Sequence, residues 1–228
     1  MAAIADPVGA VGRRVVSGYC RRALRRDVDL HVDGLEHVPP SGPAILAARH
    51  VHHLYDGCAL VTTIPRPVAI MVALDWVRPG PQRQAMTWAC AALGWPTIFR
   101  SDSPAATEGA ERSRLLRRAT RDAVALLRAG QLLLVFPEGY PNVDPHPTPK
   151  PDLDAFLPFR PGFVRLAALA ERDGRTRVPI VPVGFSYQRG SRWSVTLRFD
   201  PPRYLDQEMA PADLARLVEE RVRELSRP

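Results

Sequence analysis

Four short apolar runs constrain this chain's fold more than any other feature. They are "PAILAARH" (43–50), "PVAIMVA" (67–73), "QLLLVFPEGY" (131–140) and "RVPIVPVGFSY" (177–187). Each holds a compact apolar stretch of strand length, partly β-branched and bounded by proline, glycine or charge, so each reads as a buried strand. Between and beyond them lie segments with apolar residues at helical period: Asp56–Thr63, Gln84–Leu93, Glu108–Ala129, Phe163–Arg172 and Pro211–Ser226. Gly130 supplies the stop for the third. "VDLHVDGLEHVPP" (28–40) alternates and ends in prolines, predicting a strand and turn; "GWPTIFR" (94–100) and "RWSVTLRFDPP" (192–202) also read as strands. Strands alternating with helices predict one α/β domain, over residues 28–228. Residues 141–158, "PNVDPHPTPKPDLDAFLP", have no periodicity and form a proline-rich loop. A loop of that length inside a compact domain is commonly functional.

Ahead of the domain, residues 1–27 are set apart by charge. "VGAVGRRVVSGYCRRALRR" (8–26) offers a stripe of Val11, Val15, Val16, Tyr19 and Leu24 among six arginines. This is the composition of a basic amphipathic helix lying on an anionic membrane surface. The whole chain carries a net charge of +7, which favours polyanionic partners. Lys150 is the only lysine; every other basic residue is arginine. No nucleic-acid motif or stacking block accompanies the basic segments, so nucleic acid is not an expected partner. The start lacks a basic segment followed by a long apolar one, so no signal peptide is expected. No run reaches the roughly 18 apolar residues of a membrane span. Cys20, Cys58 and Cys90 are too scattered for a disulfide framework or a cysteine zinc site, and point to a reducing compartment.

The chemistry concentrates in "RHVHHLYDG" (49–57), which holds three of the six histidines and an aspartate. A zinc site of the metallo-hydrolase type would need aspartate at position 54 and histidine at 55, where Leu54 and Tyr55 stand. The other histidines have no ligand spacing, so no metal is expected. There is no Gly-x-Ser-x-Gly elbow and no cysteine in a nucleophile motif. Proton handling remains: a histidine serves as general base near neutral pH, and an aspartate fixes its tautomer. His52 and Asp56 are four apart and would share a helix face. His50 is six before Asp56 and meets it only from a turn that precedes the helix. Either histidine can be the base on these grounds.

Four ordered blocks give a resemblance. "ILAARHVHHLYDG", "GWPTIFR", "LLVFPEG" (133–139) and "VPIVPV" (178–183) are similar, in that order, to the blocks of the lysophospholipid and glycerol-phosphate acyltransferases. "LPFRPGFVRLA" (157–167) fits the connection between the third and fourth. The resemblance spans roughly residues 28–190. It implies a glycerolipid acyltransferase-like fold, with a central mixed, mostly parallel sheet flanked by helices. It also implies transfer of a fatty acyl group from acyl-CoA or acyl-carrier protein to a hydroxyl of a lysophospholipid, glycerol-phosphate or related lipid, with no cofactor. By the same resemblance His50 takes the proton of the acceptor hydroxyl, with His52 the alternative, and Asp56 orients it. Arg100 contacts acceptor phosphate. Phe136, Pro137, Glu138 and Gly139 lie beside the acceptor, with backbone N–H groups near Gly139 open to its oxygens, and Pro182 shapes the site floor. The implied location is cytoplasmic, peripheral on the inner face of the cell membrane. The oligomeric state is not readable.

Three features depart from the family pattern. The family separates its histidine and aspartate by four residues; here five stand between His50 and Asp56, three between His52 and Asp56, and Val51 occupies the matching position. After the glycine the family carries Thr-Arg-Ser; here Tyr140, Pro141 and Asn142 follow Gly139. The loop 141–158 is also longer. The missing arginine opens the acceptor to a hydroxyl compound without phosphate, such as a glycolipid, and a non-catalytic lipid-binding module on the same fold is the second reading.

Overall fold

The computed structural model describes residues 7–78, 80–100, 110–206 and 208–228. Residues 1–6 of the predicted N-terminal unit, and positions 108 and 109 of the helix predicted over 108–129, lie outside the described residues. The helices are α1 (Pro7–Asp27), α2 (Tyr55–Thr63), α3 (Pro81–Leu93), α4 (Ala110–Arg128), α5 (Gly162–Glu171) and α6 (Pro211–Leu225). The strands are β1 (Val28–Asp33), β2 (Ala44–Ala48), β3 (Val68–Ile70), β4 (Val72–Ala73), β5 (Thr97–Ile98), β6 (Leu132–Val135), β7 (Ile180–Arg189) and β8 (Trp193–Phe199).

Six strands form one sheet in the order β1-β8-β7-β2-β6-β3. Every adjacent pair is parallel except the β7/β8 hairpin. The sheet is thus mixed and mostly parallel, and helices cover both faces. Along β2, Ala44, Leu46 and Ala48 join Cys20 and Leu24 of α1 and Cys58, Ala59 and Leu60 of α2 in one core. Ile45 and Ala47 point the other way, into a core shared with α4, α5 and α6. Strand β6 divides likewise, with Leu132 and Leu134 on the first side and Leu133 and Val135 on the second. A strand buried on both faces has no polar side to show, which is why these runs read as unbroken apolar stretches.

Two predicted strands are shorter than their sequence suggests. The run 67–73 divides at Met71, whose N–H still bonds the Leu134 carbonyl at 2.9 Å, before the chain leaves the large sheet. Val72 and Ala73 then pair with Thr97 and Ile98 in a separate two-stranded sheet. The segment 94–100 therefore contributes two strand residues, since its partner β4 is as short. Pro182 sits inside β7, opposite Ala47 of β2. Its carbonyl accepts from Asp200 N at 3.0 Å, just past the end of β8, so here β7 only accepts across the pair, and two-way bonding returns at Ile180 with Arg203.

Helix α6 lies directly on β7 at Gly184. A Cβ there would stand 2.7 and 2.8 Å from the backbone carbon and oxygen of Leu225. Backbone cannot swing aside as a side chain does. Gly184→Ala is expected to destabilise the fold by about 3 kcal/mol, seen as a lower denaturant midpoint at unchanged slope; an unchanged midpoint would show that α6 shifts freely.

Candidate active site

In an open parallel sheet, functional groups gather beyond the carboxyl ends of the strands, and here two such ends lie side by side. Strands β2 and β6 are in register with Ala47 opposite Val135. Continuing that register three residues brings His50 level with Glu138. The His50 N–H donates to Glu138 Oε1 at 2.9 Å.

From Arg49, just past β2, the chain turns and enters α2 at Tyr55. His50 lies before that helix, on the turn, and its imidazole Nδ1 is 2.9 Å from Asp56 Oδ2. Asp56 is fully buried in the first turn of α2. Its Oδ2 also accepts the backbone N–H groups of Val51 at 2.6 Å and His52 at 2.9 Å, and its Oδ1 accepts the Tyr187 hydroxyl at 2.7 Å. Burial, and then the Asp56 charge, push the Tyr187 hydroxyl well above its ordinary range, so it stays protonated and donates. An aspartate so supplied with donors serves His50 as acceptor. In the neutral ring this arrangement puts the proton on Nδ1 and leaves the lone pair on Nε2. Phe136 stacks on the imidazole with ring centres 4.0 Å apart.

His52 is built differently. It meets Asp56 through its backbone, not its ring. Its Nδ1 accepts the N–H groups of Leu54 at 3.2 Å and Tyr55 at 3.4 Å, which otherwise stand without helical partners at the start of α2. The ring stacks on Tyr55 and is shut away from solvent. Burial lowers its pKa to about 4. Of the two histidines left open by the spacing, the geometry joins His50 to Asp56 and gives His52 a capping place.

His50 opens onto a cavity of about 970 Å³. Its walls are largely apolar. Val16, Tyr19 and Cys20 of α1 and Leu54, Cys58 and Val61 on and beside α2 form one side, and Ile70, Met71, Val72 and Trp95 another. Arg100, Asp75 and the proline-rich segment Asp144–Pro149 complete it. Arg100 Nε and Nη2 grip Asp75 Oδ2 at 2.8 and 2.7 Å, and Nη1 donates to the Gly139 carbonyl at 2.7 Å. Tyr140 lies flat beneath the guanidinium at 3.9 Å.

The cavity thus brings together His50, Arg100, Phe136 and Gly139, with Asp56 directly behind His50. Pro137, Glu138 and Pro182 are not among its lining residues. The Glu138 carboxylate, placed beside the acceptor by its motif, is 1% exposed and fully engaged within the protein. Lys150 Nζ is 2.6 Å from Oε2, which also accepts Leu157 N at 2.9 Å. The Gly139 N–H, expected to be open to substrate oxygens, is used by the Phe136 carbonyl at 3.0 Å in a turn that needs the glycine's φ of +80°. Sequence reasoning missed Tyr187, Asp75 and the role of Lys150. The first two carry no spacing signal, since their partners lie 131 and 25 residues away. Lys150 did carry one, as a lone lysine in an arginine-rich chain.

The family model described as Acyltransferase matches residues 29–186. The chain belongs to the Acyltransferase family. Uncharacterized proteins of Mycobacterium tuberculosis and Mycobacterium bovis are 30% identical to it over 154 residues, which is 67% of this chain and 36% of theirs. The matched stretch thus spans about a third of those relatives' length. A solved structure, the 1-acyl-sn-glycerophosphate acyltransferase PlsC from Thermotoga maritima, superposes with a TM-score of 0.64 at 20% identity. It covers 93% of this chain and 77% of that one, so this acyltransferase domain has the same fold.

The His52 environment predicts a pH dependence. Its folded pKa of about 4 lies below the ordinary 6.5, so below pH 6.5 the unfolded chain binds a proton that the folded chain refuses. Stability contributed by the neutral ring is complete above about pH 6.5 and falls by about 3 kcal/mol as pH drops to 4. Denaturant titrations at pH 7 and 4.5 should show this loss, and His52→Asn should flatten it; an equal loss in the variant would place its source elsewhere.

Proposed function

We propose that this domain transfers an acyl group from a thioester, acyl-CoA or acyl-carrier protein, to a hydroxyl of a lipid acceptor. The observation that carries this reading is His50 at the wall of a large apolar cavity, with Nδ1 on buried Asp56. In the reaction, Nε2 takes the proton of the acceptor hydroxyl as its oxygen attacks the thioester carbonyl. The imidazolium formed is stabilised by Asp56, and its proton passes to the thiolate as the carbon–sulfur bond breaks. The apolar walls suit an acyl chain, and excluding water there limits hydrolysis of the thioester. The PlsC likeness supports a lysophospholipid or glycerol-phosphate acceptor, whose phosphate would meet Arg100. Metal and cofactor have no part in this scheme.

A specific observation favours a second acceptor class. Asp75 offsets the Arg100 charge at 2.7 Å, Pro141 stands where the family has an arginine, and the Lys150 side chain is sealed against Glu138. An acceptor hydroxyl without a phosphate, as on a glycolipid, fits such a wall without competing with Asp75. Purified protein given labelled acyl-CoA and a panel of lysophospholipids, glycerol phosphate and neutral glycolipids separates the two. Product from none of them, with lipid binding retained, would instead support a non-catalytic lipid-binding module. With an active pair in hand, His50→Ala and Asp56→Asn are each expected to lower kcat by about 10³-fold while leaving the circular dichroism unchanged. Full activity in His50→Ala would remove it as the base.

Membrane attachment belongs to the same proposal. Val11, Val15 and Tyr19 stand out from α1 between exposed arginines, Val15 at 67% exposure, and Trp88 of the neighbouring α3 is 72% exposed. Apolar side chains ringed by arginine fit the inner face of a cell membrane, with the domain peripheral on its cytoplasmic side. No described helix is long and apolar enough to cross a membrane. Sedimentation with anionic vesicles should fall at least fivefold in Val11→Asp/Val15→Asp and weaken with salt; equal sedimentation with neutral vesicles would argue against the arginines' part.

A further inference from the structure

We infer that Lys150 is a positioning residue for His50, acting with Glu138 through the main chain. The inference rests on the reading of His50 as the base. Lys150 belongs to the proline-rich loop, between Pro149 and Pro151, and is 2% exposed. Its ammonium makes three contacts, as many as it has protons: Glu138 Oε2 at 2.6 Å, the His50 carbonyl at 2.7 Å and Asn142 Oδ1 at 3.2 Å. Glu138 Oε1 in turn accepts the His50 N–H at 2.9 Å. One ion pair therefore holds both polar groups of the His50 backbone, the N–H by its anion and the C=O by its cation.

The choice of lysine fits that task. Three acceptors converge on a single nitrogen, and a planar guanidinium, with its donors spread over three nitrogens, cannot meet them from one point. In a chain whose other basic residues are all arginine, this site takes the exception. The pair is costly to bury, and burial pulls the Lys150 pKa down while Glu138 pulls it back. Buried ion pairs of this kind contribute little net stability over apolar replacements, so what this one supplies is geometry. The opposite charges lie together, so the clamp adds little net field at the imidazolium that forms on His50. With Asp56 on Nδ1 and Phe136 on the ring face, the clamp fixes where Nε2 stands in the cavity. A displacement of about 1 Å at such a group costs on the order of 10²-fold in rate.

The test compares wild type, His50→Ala, Lys150→Met and the double variant Glu138→Gln/Lys150→Met, which removes both charges and leaves no unpaired ion buried. Steady-state kinetics with the active donor and acceptor pair are expected to show kcat lowered about 10- to 100-fold in both Lys150 variants, with each KM within about threefold of wild type. Thermal unfolding of the double variant is expected to stay cooperative. A folded double variant with wild-type kcat, or one in which KM alone changes, overturns the inference. Loss of fold in both Lys150 variants assigns the pair to stability and overturns it equally. No turnover by wild type, or full turnover by His50→Ala, overturns the underlying reading of the base, a result told apart by those two controls.

Discussion

A carboxylate with no exposed surface must be given hydrogen-bond donors by the protein, and the provision made for Asp56 organises everything around it. Its donors come from three places: the turn after β2, the ring of His50 and the hydroxyl of Tyr187 on β7. Bonds to a charged acceptor are each worth about 1.5–3 kcal/mol, and losing one would leave the charge short of solvation. The turn 50–54, the start of α2 and the far end of β7 are consequently bound to one point. The sheet brings β2 and β7 together by pairing Ala47 with Pro182, and the carboxylate then fixes what stands beyond the strand end.

What could be read from the sequence follows from what leaves a periodic trace. Continuous apolar runs located β2, β6 and β7, and helical period located α2 to α6, because burial of one or both faces forces those patterns. The His50–Asp56 pair was legible as a candidate, since both residues sit in one short segment. The preference for His50 over His52 came from the resemblance; spacing alone left both open, because the choice depends on where α2 begins, and there the ring of His52 accepts the N–H groups of Leu54 and Tyr55. The extent of residues 94–100 as a strand was overstated because pairing length depends on the partner, and β4 offers two residues. Glu138 sits in the most recognisable motif of the chain, yet its engagement within the protein was invisible. Its partners Lys150 and Leu157 lie in the stretch that has no pattern at all.

The sequence departs from its family in an added residue between histidine and aspartate and in a long loop after Gly139. In the structure the two are one feature. The Val51 carbonyl accepts the N–H groups of Asn142 and Val143, and the Val143 carbonyl accepts the His53 N–H. The widened turn is thus edged by the loop like a strand by its neighbour. Asn142 passes the support on, donating to the carbonyls of Asp152 and Ala155. A longer turn left without such partners would carry buried, unpaired backbone groups, which folded chains avoid.

The departure of the chain from the large sheet at Met71 divides the site. His50 and Asp56 are carried by the six-stranded sheet and its helices. Arg100 and Asp75 are carried by the end of a two-stranded ribbon that begins just after Met71, whose N–H makes the last bond to Leu134. The cavity is therefore walled by groups that two different sheets carry. His50 is seated on the large sheet, while Arg100 stands on the small one and reaches back across to the Gly139 carbonyl. On the proposed reading, the reacting hydroxyl of the acceptor and its head group would each be met by a different sheet.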